Sequence, residues 1–104
     1  MPAPSPYFTY LTELLKSMLE KGASDLFITV GSPPALKVNG ELVPFNAKPI
    51  SREQAEEVIR SAMNEKQQAE FRDSRECNFA ISLDGVGRFR VNTYVQRGSP
   101  GLVA

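Results

Sequence analysis

Histidine and tryptophan are absent from this sequence of 104 residues, and cysteine occurs once. Without histidine, the commonest general acid–base and the commonest zinc ligand are both missing. A lone Cys77 forms no intrachain disulfide, builds no thiolate metal site and fits a reducing compartment. No apolar run approaches the roughly 20 residues needed to span a bilayer. The N-terminus has no charged-then-apolar signal pattern, so the chain is expected to be cytoplasmic and without direct membrane insertion. No Gly-Lys pair occurs, which excludes the Gly-x-x-x-x-Gly-Lys phosphate loop. An excess of either charge is missing too, since twelve basic and twelve acidic residues cancel. Nothing in the bulk charge therefore attracts nucleic acid. By itself the chain is not expected to be an enzyme.

What is present suits one soluble domain with one modest core: 41% of residues are apolar and 23% charged. The charge is unevenly spread. Residues 1–71 hold all the lysines and a slight acidic excess, whereas residues 72–104 hold Arg72, Arg75, Arg88, Arg90 and Arg97 and no lysine. Arginine used alone points toward planar, bidentate recognition of phosphate or carboxylate.

Residues 1–6, with three prolines, are expected to form a disordered lead-in. From Tyr7 to Lys21, Phe8, Leu11, Leu14, Leu15, Met18 and Leu19 give the one-faced spacing of an amphipathic helix, with Gly22 placed to end it. Leu26 to Val30 reads as a buried strand. Ala35 to Asn39 begins another, and Asn39-Gly40 is a tight hairpin turn leading into Leu42 and Val43. Ser51 and Gln54 form a capping box for a helix that faces inward through Ala55, Val58, Ile59, Ala62 and Met63. Asn64 caps a further short helix ending near Phe71 and Arg72.

Cys77, Phe79, Ile81 and Leu83 alternate with polar or small residues, as do Phe89, Val91, Thr93 and Val95 with Arg88, Arg90 and Asn92. A two-residue turn at Asp84-Gly85 would pair Ile81 with Arg88 and put charge on the core face. An odd loop pairs Ile81 with Phe89 and Phe79 with Val91, so the odd loop is expected, with Gly85 or Gly87 taking the unusual backbone angle. Arg88 and Arg90 then share the opposite face, roughly 6.5–7 Å apart along the strand.

On the residues alone, that pair reads most simply as a solvated face matched by nearby carboxylates. The sharper reading is an anion contact held rigidly by the packed face behind it. Arg97, beside Gly98, is a weaker candidate for the same role. Cys77 shares parity with Phe79 and Ile81 and reads as a buried structural thiol. Asp25 reads as a turn acceptor. Glu53, Glu56 and Glu57 stabilise the first turns of a helix and do not suggest a metal cluster.

Gly22-Ala23-Ser24-Asp25-Leu26, Val38-Asn39-Gly40, Asn78-Phe79-Ala80-Ile81, Gly87-Arg88-Phe89-Arg90-Val91-Asn92 and Gln96-Arg97-Gly98 occur in a telling order. Together, over about Phe8 to Val103, they resemble the N-terminal domain of type IV pilus retraction ATPases of the PilT/PilU kind. Phe27 and Cys77-Asn78 depart from the PilT pattern and look closer to the PilU branch. The resemblance implies an α+β, PAS-like domain over residues 7–104, an antiparallel sheet with helices packed against it, ahead of a RecA-like ATPase domain that this sequence does not contain. It also implies a homohexamer, alone or with a paralogous retraction ATPase, in which the domain packs on a neighbouring subunit's ATPase domain. Arg90 matches the arginine that such domains turn toward the nucleotide. Arg88 matches the motif in a supporting place, and a second arginine of the pattern would follow Ala104. ATP and Mg are implied for the parent protein and none for this domain. An autonomous PAS-like module for a small ligand or a protein partner is the alternative, and it would need a sizeable pocket between sheet and helices.

Overall fold

Ser5 and Pro6 start the first helix. In the computed structural model, which describes residues 5–104, α1 runs over Pro6–Glu20. Ser5 is its N-cap, its hydroxyl accepting a hydrogen bond from the Tyr7 N–H at 3.1 Å. Pro6 stands at the first helical position, where its fixed φ suits the helix and its missing N–H is no loss. The expected lead-in therefore extends too far: Ser5 and Pro6 belong to the helix, and residues 1–4 lie outside the described residues. Gly22, at φ 63°, turns the chain out of α1.

The remaining elements follow in the order β1 (Asp25–Thr29), β2 (Ala35–Val38), β3 (Glu41–Pro44), α2 (Arg52–Ser61), α3 (Glu65–Ser74), β4 (Glu76–Leu83), β5 (Gly87–Gln96) and β6 (Ser99–Val103). Both expected caps are formed. Ser51 and Gln54 bond reciprocally at the start of α2, as Asn64 and Gln67 do at the start of α3. The strands make one six-stranded sheet in the order β3-β2-β1-β6-β5-β4, antiparallel throughout. With its three helices the chain has the α+β architecture that the resemblance implied.

Between helices and sheet lies the core. Leu11, Leu14, Leu15 and Met18 of α1 and Ala55, Val58 and Ile59 of α2 meet Leu26, Ile28, Leu36, Phe89, Val91 and Leu102 of the sheet. Each fully buried aliphatic among them contributes about 1.5–3 kcal/mol of transfer free energy. The buried Thr93 is satisfied, its hydroxyl donating to the Cys77 carbonyl at 2.9 Å. These side chains pack the space between the layers.

β6 was not foreseen. It lies at the centre of the sheet, between β1 and β5, and enters from β5 through a two-residue turn. In that turn Arg97 and Gly98 both have positive φ, 53° and 78°. Ser99-Pro100-Gly101 looks like loop punctuation, yet each residue fits the sheet. Pro100 pairs with Val95, whose N–H is used elsewhere, donating to the Arg75 carbonyl at 3.1 Å. β1 pairs with β6 only from Gly101 onward, so the ladder asks no N–H of the proline. At Gly101 a Cβ would lie 2.6 Å from the Tyr94 ring, so glycine lets the aromatic lie across the strand.

Candidate anion-contact site

β4 and β5 set the site through their register. The loop between them is the three-residue Asp84-Gly85-Val86, with Gly85 at φ 73° and Leu83 opposite Gly87. Ile81 then pairs with Phe89 and Phe79 with Val91, the pairing that keeps charge off the core. Phe89, Val91 and Thr93 are buried beneath the helices, while Arg88, Arg90 and Asn92 are exposed on the opposite face. The structure thus brings Arg88 and Arg90 together on one rigid strand.

Their surroundings bear on the two sequence readings. Across the strand stand Ser82 opposite Arg88, Ala80 opposite Arg90 and Asn78 opposite Asn92. None is acidic. Among the described residues the ion pairs are Lys16–Glu13, Arg52–Glu56 and Arg60–Glu57, so neither arginine has a carboxylate within 4.0 Å. The carboxylate-matched face expected of an ordinary solvated strand is not there. Two guanidinium groups stand unneutralised over a backbone that the core holds still.

Both arginines line a concavity of about 660 Å³ that also includes Met18 and Leu19 of α1, Asp25 and Ala104. β6 meets β5 only from Asn92 to Gln96, so Gly87–Val91 has β4 on one side and, among the described residues, no strand on the other. Backbone groups of Arg88 and Arg90 point the same way as those of Asn92, toward that open side, because strand residues two apart share an orientation. The arrangement can offer an anion two guanidinium groups and nearby backbone amides.

Other candidates fall elsewhere. Arg97 occupies the β5–β6 turn, seven residues beyond Arg90, roughly 23 Å along the strand, and takes no part in the site. Asp25 accepts a hydrogen bond from the Ser24 hydroxyl at 2.8 Å, as a turn residue does. Cys77 is buried, and its thiol donates to the Glu70 carboxylate at 3.6 Å. Burial pushes its pKa up, and the charge and hydrogen bond of Glu70 push the same way, favouring the thiol over the thiolate. Glu56 and Glu57 pair with Arg52 and Arg60 on the surface of α2. Sequence reasoning missed the spatial grouping of Arg52, Arg60, Arg72 and Arg75; the one legible signal was the concentration of arginine after residue 71.

No family model matches the chain. It is 52% identical over 91 residues to the type IV pilus ATPase PilU of Pseudomonas aeruginosa, covering 88% of this chain and 24% of that protein. It is 38% identical over 93 residues to the type IV pilus retractation ATPase PilT of the same organism, covering 89% and 27%. Among solved structures, the pilus retraction motor PilT with bound ADP matches with a TM-score of 0.81 at 31% identity, over 88% of this chain and 27% of that one. The Legionella pneumophila ATPase DotB matches at 0.76 and 19% identity over 99% and 30%, a likeness of fold alone. The chain spans about a quarter of the length of the curated relatives it matches.

Proposed function

The chain is an N-terminal domain of the PilT/PilU retraction-ATPase type, and on that premise we propose that it regulates and assembles a motor that retracts type IV pili. In this reading the parent is a hexameric ATPase working in the cytoplasm at the membrane base of the pilus machine. This domain packs on the ATPase domain of a neighbouring subunit and turns Arg90, supported by Arg88, toward the phosphates of nucleotide held there. ATP and Mg²⁺ belong to that ATPase domain. The present chain has no phosphate-binding loop, and no group of three or more acidic or cysteine side chains among the described residues could hold a metal ion.

The observation that supports this reading is the unneutralised arginine pair on a strand whose other face is packed. A guanidinium group acts on phosphoryl transfer by stabilising charge on the transferring oxygens. It must be held in place to do so, and β5 anchors the backbone that carries it. A change in how the domain seats on its neighbour would move both arginines as one body and so couple nucleotide state to domain position.

The test uses the full-length parent. Arg90→Ala should lower ATP turnover about tenfold or more, equivalent to about 1.4 kcal/mol or more of transition-state stabilisation, while the melting temperature of this domain stays unchanged. Arg88→Ala should lower it less. Normal turnover combined with a destabilised domain would show that Arg90 is a structural residue and overturn the proposal.

A further inference from the structure

A second group of guanidinium side chains lies well away from Arg88 and Arg90. Arg52 and Arg60 come from α2, Arg72 from the last turn of α3, and Arg75 from its C-cap. They rim a cleft of about 430 Å³ between α2, α3 and the β5–β6 turn. Its floor is apolar, formed by Ile59, Met63, Phe71, Val95 and Pro100.

The rim is poorly neutralised. Glu56 is the one carboxylate lining the cleft, and its contact with Arg52, at 3.6 Å, is exposed on both sides. Arg60 pairs with Glu57 at 2.8 Å, again at the surface. Arg72 and Arg75 form no ion pair among the described residues. Solvated pairs of this kind hold their partners weakly and yield to a competing carboxylate.

Arg75 adds an independent sign. Its φ is 63°, in the left-handed region that glycine takes far more readily. The backbone role at that position is to close α3 and to accept the Val95 N–H at 3.1 Å. Glycine would do both with less strain, so what arginine adds there is its side chain.

We propose that this cleft is a docking site for an acidic protein segment, one that sets carboxylates against the arginine rim and an apolar side chain on the floor between them. Charge complementarity and the floor together select that occupant. A free phosphate would satisfy the arginines and leave the floor wet. A flat membrane surface does not reach into a cleft. A nucleic acid needs a basic track that continues beyond one cleft, and this chain carries no net charge. On a helical segment, acids four residues apart lie on one face, and an apolar residue three positions after the first acid lies beside them.

The experiment titrates the isotopically labelled 104-residue chain with a blocked synthetic helical peptide of Glu, Leu and Ala whose glutamates are four apart, read by amide NMR. Saturable shifts are expected at Phe71, Arg72, Arg75 and Gly98. Arg72→Glu with Arg75→Glu should weaken the peptide about tenfold or more, equivalent to about 1.4 kcal/mol or more. Replacing the peptide's Glu by Gln, or its Leu by Ser, should also weaken it. Arg75→Gly should melt no lower than the parent chain and still bind less tightly, which separates docking from folding. Undiminished binding in the double variant, or equal binding of the Gln peptide, would overturn the proposal. So would tighter saturation of the same amides by inorganic phosphate, phosphatidylserine vesicles or an oligonucleotide.

Discussion

β5 has two faces, and they answer to different forces. One carries Phe89, Val91 and Thr93 into the core, where each is 5% exposed or less. The other carries Arg88, Arg90 and Asn92 to an open surface. Because successive side chains alternate, a slip of one residue would bury two guanidinium groups and expose Phe89 and Val91. Burial on one face therefore sets the register, and the register positions the other face. The face that stabilises and the face available for binding are distinct, and the same backbone serves both.

The contrast can be broken from the covered side first. Leu102 is fully buried in β6 at the centre of the sheet. Leu102→Ala should cost about 2–5 kcal/mol in urea denaturation; a loss under about 1 kcal/mol would mean that the covered face does not carry the stability assigned to it. A smaller effect is expected on the open face where the backbone is crowded. Gly101→Ala sets a Cβ against the half-buried Tyr94 ring and should cost about 1–3 kcal/mol. Tyr94→Ala in the same chain should recover part of that loss; no recovery would place the strain elsewhere.

Cys77 tests the covered face through pH. Its folded-state pKa is raised, so the folded chain keeps the thiol proton at pH values where the unfolded chain has released it. That contribution is full below the ordinary thiol range and is lost as pH rises through the raised value. The melting temperature should fall as pH climbs past the ordinary thiol range, and Cys77→Ala should flatten the slope. The smallest change is expected on the open face: Arg88→Ala with Arg90→Ala should shift stability by about 0.5 kcal/mol or less. A loss comparable to that of Leu102→Ala would erase the distinction between the faces.

Much of the fold was legible because its signals are local. The capping box at Ser51, the cap at Asn64, the Asn39-Gly40 turn and the alternation in β4 and β5 each act within a few residues, and each formed where the pattern predicts. Even the odd loop after Leu83 followed from one rule, that apolar side chains pair with apolar ones across a hairpin. β6 escaped because its local signals contradict its place. Arg97-Gly98 is a turn of the same geometry as Asn39-Gly40, but the Ser99-Pro100-Gly101 that follows looks like loop. Proline was admissible at position 100 only because Val95 bonds to Arg75 and β1 has already ended, facts that belong to three distant segments.

The candidate site divides the same way. That Arg88 and Arg90 share a face is a property of strand periodicity, available from the residues in order. That no carboxylate meets them depends on which strand lies alongside and in what register, so it needed the folded chain. The arginine cleft depended on it more strongly still, since Arg52 and Arg60 on one helix meet Arg72 and Arg75 only through the packing of α2, α3 and the β5–β6 turn.

By itself, the sequence determined the elements other than β6, the caps at Ser51 and Asn64, the faces that β4 and β5 bury and the pairing of the two arginines, because these depend on backbone geometry and on neighbours within a few residues. The tertiary structure decided that Ser99–Val103 is the middle of the sheet, that Arg88 and Arg90 stand unpaired, and that four scattered arginines rim one cleft. Those outcomes depend on long-range pairing, where a residue's partners are set by the packing of the whole core and not by its place in the chain.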